Sequence, residues 1–147
     1  MSIHGKKRVA TSKAEEVLTR SNALFRALID KSSDIIVLAN AEGMLTYVSS
    51  SITHIMGYSP EELVGSSALA LVHPDDLAVM HQVSGAIRQA PGTSVRAEYR
   101  LRCKGGSWRW FEGVGTNLLD DVEVGAIVGN FRDITERKRV EEALQAD

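Results

Sequence analysis

The sequence predicts an α+β fold in which a sheet is entered and left through helices and interrupted by short helices between its second and third strands. Three observations carry that reading. Between Thr93 and Lys104 the residues alternate almost without a break, Val95, Ala97, Tyr99, Leu101 and Cys103 at one parity and Arg96, Glu98, Arg100, Arg102 and Lys104 at the other. That is the pattern of a half-buried antiparallel strand. Ser59-Pro-Glu-Glu62 and His73-Pro-Asp-Asp76 each place Pro at a first helical position with acids beside the positive end of the helix dipole. The hydrophobic period also changes from helical to twofold near Asp34, and back to helical near Asp133.

The elements follow in order. Residues 1–12 read as a flexible polar tail and residues 13–32 as a flanking helix, with Leu18, Phe25 and Ile29 on one stripe and Val17, Leu24 and Leu28 beside it. Residues 33–133 form the core. Asp34–Ala39 and Leu45–Ser49 are β-rich runs joined by a turn that begins at Asn40. Ser59 is the expected N-cap of a capping box closed by Glu62, and Gly65 the glycine that ends that helix. The helix after His73-Pro-Asp-Asp76 carries Leu77, Met80, Ser84 and Ile87 toward the core and stops at Pro91-Gly92. Gly105-Gly106 is expected to supply a positive-φ hairpin turn, Ser107–Leu119 the return strand, and Asp120-Asp121 the next turn. Val124–Phe131 is apolar at both parities and reads as a central strand. Residues 134–147 form a linker helix, the start of a coiled coil, with Asp133 and Glu136 as a second capping box and Ile134, Val140 and Leu144 as an apolar seam.

Composition narrows the function classes. The chain has 147 residues, 44% of them hydrophobic, and a formal net charge of −2, enough for one domain with a core and no electrostatic case for nucleic acid. Lys6-Lys-Arg8 reads as a solvated tail and Arg137-Lys-Arg139 as a charged helix face. No apolar run approaches the roughly 20 residues of a membrane span. One cysteine, Cys103, leaves no internal disulfide and no cysteine zinc cluster. The expectation is a soluble, cytoplasmic chain without nucleic-acid or membrane partners.

Six motifs in order then carry a resemblance: Tyr47-Val-Ser-Ser50, Met56-Gly-Tyr-Ser-Pro-Glu-Glu-Leu-Val-Gly65, His73-Pro-Asp-Asp76, Tyr99-Arg-Leu-Arg102, Ser107-Trp-Arg-Trp110 and Asp133-Ile-Thr-Glu-Arg-Lys138. Across residues 22–145 the chain resembles the PAS family with its C-terminal PAC segment. The resemblance implies a five-stranded antiparallel sheet whose inner face and short helices enclose a cavity, and a home as the input module of sensor kinases, cyclic-dinucleotide enzymes or chemoreceptors. It also implies that Asp133, Ile134 and Thr135 join the last strand to the output helix. Asp133 can cap that helix and accept a bond from Arg109 or Arg132, or it is a cap and nothing more. Trp108 and Trp110 share a strand face, either outward against a flanking helix or dimer partner, or in the core.

The candidate pocket residues are Met56, Leu71, Met80, His81, Ser84, Tyr99 and Leu101. Trp110, Arg132, Asp133, Ile134 and Thr135 are candidates for signal relay, and Leu18, Phe25, Ile29 and Leu144 for a homodimer interface. No catalytic or phosphate-cradling motif is present, so the chain reads as a regulatory module and not an enzyme, and no metal site is expected. His81 resembles the proximal histidine of haem-binding oxygen-sensor PAS domains and is the one candidate haem ligand; the alternative is a boundary histidine. Flavin photochemistry of the light-sensing kind needs a cysteine where this chain reads Ala68-Leu-Ala-Leu-Val72. His73 reads as a helix starter, and Cys103 as a core residue or a redox sensor. Three functions follow: a ligand-responsive input domain relaying to a C-terminal output domain of a longer protein, a ligand-free dimerisation module, and a haem gas sensor.

Overall fold

The computed structural model describes residues 23, 24, 27–29 and 32–146. The chain divides into two units, residues 1–32 and 33–147. In the first, residues 23, 24 and 27–29 are helical, and the expectations for Leu18 and Phe25 lie outside the described residues.

The second unit runs β1 (Ile35–Ala39), β2 (Leu45–Val48), α1 (Ser51–Met56), α2 (Pro60–Leu63), a 3-10 turn (Pro74–Asp76), α3 (Leu77–Gln89), β3 (Ser94–Arg102), β4 (Trp108–Leu118), β5 (Ala126–Asp133) and α4 (Thr135–Gln145). The five strands form one antiparallel sheet in the order β2-β1-β5-β4-β3. The two-sided apolar strand is therefore central, as its pattern predicts. Its first paired residue is Ala126 and not Val124, because the Asp121 carboxylate accepts the amides of Glu123 and Val124 and holds them in the preceding turn.

Local chemistry explains most boundaries. Between β1 and β2 the Asn40 side chain accepts the amides of Glu42 and Met44, and Gly43 takes φ +82°. The Tyr47–Ser50 motif has a physical reason. Ser49 is fully buried, its Oγ accepts the Ile36 amide at 2.9 Å, and its hydroxyl bonds Ser51, which donates to the Asp34 carbonyl. These bonds weld the start of α1 to β1. Ser59 caps α2 by accepting the Glu62 amide, and Gly65 follows at φ +90°. His73 caps the 3-10 turn through Nδ1, which accepts the Asp75 amide at 3.1 Å, and that is the starter role expected of it.

Two expectations change. In the β3–β4 turn only Gly106 has positive φ, because the Gly106 amide closes on the Cys103 carbonyl, which makes Lys104 and Gly105 the central residues and leaves Gly106 as the left-handed residue after them. Asp133 and Glu136 do not form a capping box. Asp133 is one residue too early for it and instead accepts the Thr135 amide, while Glu136 pairs with Arg139.

The core lies on one face of the sheet, where Ile35, Val37, Tyr99, Leu101 and Phe111 meet Met56, Leu63 and Met80 from the helices. Cys103 is buried there, its thiol pKa raised first by burial. None of the described helices is long and apolar enough to cross a membrane.

Candidate ligand pocket and helix junction

Strand register builds the pocket floor. Two rows cross the inner face of the sheet, Val95–Gly115–Gly129–Val37–Val48 and Ala97–Gly113–Phe131–Ile35. Strands favour branched and aromatic residues, so three glycines in the middle of such rows signal a close approach or a kept space. Here they permit close approach, since neighbouring side chains already occupy the places their Cβ atoms would take. A Cβ at Gly115 would meet Ile87 Cδ1 at 2.6 Å, one at Gly129 would meet Val37 Cγ2 at 2.8 Å, and one at Gly113 would strike the Tyr99 hydroxyl. Above this trough the helices leave a cavity of about 130 Å³. Ser67 and Ala68, both exposed, mark where it meets solvent.

Six of the seven sequence-derived pocket candidates line this cavity: Met56, Leu71, Met80, Ser84, Tyr99 and Leu101. His81 does not. It is exposed on α3, because the stripe facing the cavity is Met80, Val83, Ser84 and Ile87, and His81 sits about a quarter turn off it. That placement removes the ligand on which the haem reading rests, and the lining residues do not otherwise fit a haem, since none is a histidine. Among the described residues no cluster of His, Cys, Asp or Glu could hold a metal ion.

Tyr99 is the unusual lining residue. Its side chain is 3% exposed and packs edge-on against Phe131, with ring centroids 6.0 Å apart. Among the described residues nothing hydrogen-bonds its hydroxyl. Burial raises its pKa, so it is a protonated donor across the physiological range.

The opposite face of the same strands seats α4. Glu98 and Glu112 are direct cross-strand neighbours, a repulsive pair by itself. Arg137 bridges them, at 2.6 Å to Glu98 and 3.7 Å to Glu112, and Lys138 adds a 2.6 Å bond to Glu98. The Lys138 bond, first among the causes, holds Glu98 below the usual carboxylate pKa. Lys138 and Arg100 both lie over the Trp110 ring, at 4.8 and 4.9 Å. Arg100 is in turn held by Asp76 through its backbone amide at 2.8 Å and two guanidinium bonds at 3.0 Å. One chain of contacts thus links four of the motifs, from the turn ahead of α3 through β3 and β4 to α4.

At the strand–helix junction Arg109 donates to Asp133 at 2.6 Å, Asp133 accepts the Thr135 amide at 2.9 Å, and the Thr135 hydroxyl accepts the Trp110 amide at 3.0 Å. Burial alone would raise the Asp133 pKa, but the bonds from Thr135 and Arg109 outweigh it and leave it low. Of the two arginines considered for Asp133, the structure selects Arg109. Arg132 points along the other parity and pairs with Asp34 at 3.2 Å, so it leaves the proposed relay set. Trp110, Asp133, Ile134 and Thr135 do come together. Ile134 is 5% exposed and anchors the junction in the core, so it does not extend the apolar seam of Val140 and Leu144, which are 58% and 75% exposed. Trp108 lies on the outer face against His73, with ring centroids 4.5 Å apart.

Sequence reasoning missed Gly113, Gly115 and Gly129, and the Glu98–Glu112 seat for Arg137 and Lys138. The spacing of Gly113 and Gly115 inside an aromatic strand was the available signal for the first group.

Comparison with known proteins agrees with this geometry. A family model described as the PAS fold matches residues 45–129. White collar 2 protein of Neurospora crassa is 35% identical over 89 residues, 60% of this chain and 16% of that protein. Sensor histidine kinase TmoS of Ectopseudomonas mendocina is 29% identical over 128 residues, 86% of this chain and 13% of that protein. The chain therefore spans less than a fifth of either relative. The PAS domain of an HTR-like protein from Haloarcula marismortui superposes with a TM-score of 0.70 at 22% identity, covering 84% of this chain and 99% of that one, a likeness of fold.

Proposed function

Because the chain belongs to the PAS family, we propose that it is a sensory input module in which occupation of the pocket is passed through the sheet to helix α4. The observation that carries this reading is the two-faced use of the same strands. Gly113 and Phe131 floor the pocket, and their sequence neighbours Glu112 and Arg132 face outward, where Glu112 helps seat α4. A ligand that shifts the floor shifts the seat. Asp133 then transmits strand movement into the first turn of the helix. The role is regulatory, with α4 leading to the output domain of a longer protein, as a sensor kinase relative suggests.

The coupling can be tested without knowing the ligand. Gly115→Ala places a methyl against Ile87 inside the pocket and is expected to change the hydrogen-exchange protection of residues 135–145 at least threefold, roughly 0.7 kcal/mol of local opening. Unchanged protection in a folded variant would disprove the coupling.

The module is further proposed to work as a homodimer, supported by the apolar pair Val140 and Leu144, one turn apart and exposed on α4. Val140→Lys with Leu144→Lys is expected to weaken self-association about tenfold or more in sedimentation experiments. A monomer at high concentration in the unmodified protein would rule the dimer out.

A further inference from the structure

Resting on the reading of the cavity as the sensory site, we propose that the pocket takes a neutral, mostly apolar molecule about the size of one six-membered ring, held by one hydrogen bond from the Tyr99 hydroxyl to a ligand oxygen. Size comes first. The cavity is about 130 Å³, close to the roughly 150 Å³ apolar cavity that takes up benzene. Two fused rings would need the glycine floor to move, and that floor is backbone paired on both sides.

Charge comes second. Among the described residues, no side chain lining the cavity carries a charge at neutral pH. An ionised ligand would lose its hydration with no counter-ion to replace it.

Polarity comes third and names the contact. The lining is apolar apart from three serines and Tyr99, with the Met56 and Met80 thioethers as its only other side-chain heteroatoms among the described residues. Ser66 donates to the Leu63 carbonyl and Ser67 accepts the Leu69 amide, so both are engaged locally. Tyr99 differs from them. Every fully sealed polar side-chain atom of the described residues has a partner, and the Tyr99 hydroxyl, on a residue 3% exposed, has none. It therefore opens on the cavity, held over Gly113, where any side chain would displace it. A ligand oxygen would pair this donor against an apolar wall, whereas a ligand with no hydrogen-bonding atom would seal it off unpaired at a cost in free energy.

The test uses three ring probes of similar size with the intact chain: cyclohexanone, methylcyclohexane and cyclohexanecarboxylate. Cyclohexanone is expected to bind with a Kd below about 1 mM, within reach of so small a ligand. Tyr99→Phe should weaken it about threefold to tenfold, the worth of one hydrogen bond, and leave methylcyclohexane within about twofold. Ser84→Ala, at a half-buried lining hydroxyl nearer solvent, should leave both within about twofold. The carboxylate should bind at least about a hundredfold more weakly than the ketone.

Tyr99→Phe should also keep or raise the melting temperature, since it removes an unpaired polar atom. A lowered melting temperature means the hydroxyl already has a partner, and it overturns the proposal. So does equal loss of both neutral probes, a loss caused by Ser84→Ala in place of Tyr99→Phe, tight carboxylate binding, or no ketone binding at all. Ketone binding that leaves the exchange of residues 135–145 unchanged keeps the ligand class and removes the relay. A relay response to Gly115→Ala without ketone binding does the reverse.

Discussion

Replacing Gly113 by Val is expected to destabilise the domain by about 2–3 kcal/mol and to abolish uptake of any pocket ligand. Gly113 is buried at the crossing of two inner-face neighbours, Ala97 on β3 and Phe131 on β5. A Cβ there would collide with the Tyr99 hydroxyl and reach Phe131 Cδ1 at 2.9 Å, before valine's two further methyls are counted. The Phe131 ring is held by Tyr99, and Tyr99 by the sheet, so the free volume beside them is the cavity itself. Overpacking of this kind costs about 1–3 kcal/mol, and the upper part of that range fits a site walled by backbone on both sides. Urea denaturation measures the first effect and probe binding the second. A variant with unchanged midpoint and unchanged affinity would mean that the glycine trough is not the pocket floor.

Asp133→Ala is expected to cost about 2 kcal/mol and to loosen α4 before the core unfolds. The substitution deletes the 2.6 Å bond to Arg109 and the acceptor for the Thr135 amide. Bonds to charged groups contribute about 1.5–3 kcal/mol each, and loss of a helix cap about 1 kcal/mol. Water reaches part of this site, which keeps the sum near the lower end. Asp133→Asn keeps an acceptor for Thr135 without the charge and should recover about half of the loss. Equal losses for Ala and Asn would assign the whole effect to the ion pair. A loss below about 0.5 kcal/mol for Ala would deny the junction any holding role.

Acid should act on the same joint. Asp133 and Glu98 both have depressed pKa values in the folded chain. Their stabilisation is complete above the ordinary carboxylate range and is lost as pH falls through the depressed folded values, where the folded state must take up protons. Protection factors of residues 135–145, which are corrected for the slower intrinsic exchange in acid, should therefore fall on acidification ahead of those in β1 and β5. Glu98 is the more exposed of the two, so its share should also fall with added salt.

Much of the fold was legible because its signals are local. Alternation along 93–104 sets which face of β3 is buried, and the chain folds that way, with Tyr99, Leu101 and Cys103 inside. Ser59, Pro60 and Gly65 mark the two ends of α2 through single-residue φ preferences and one short-range bond. Apolar residues at both parities place β5 in the middle of the sheet. Each of these depends on residues within a few positions of one another, and a one-dimensional string contains that information.

The site was less legible, since its properties are set across strands and between elements. His81 lies at the edge of the α3 stripe in sequence, and the roll of the helix, set by Met80, Val83 and Ile87 packing together, decides that it faces solvent. Arg132 adjoins Asp133 in sequence and Arg109 lies 24 residues before it, so sequence distance favours the arginine that does not make the bond. Register puts Phe111 opposite Asp133, which brings Arg109 within reach from β4, while Arg132 finds Asp34 on β1.

The sequence by itself determined an α+β chain of the PAS kind with a helix after its last strand, and the residues of that strand–helix junction. Only the tertiary structure decided that three glycines on different positions of β4 and β5 would adjoin on the floor of a cavity, with the Tyr99 hydroxyl packed over one of them. The physical reason is that a cavity is made by what neighbouring strands fail to fill, and strand register, which settles that, is a relation between residues far apart in the chain.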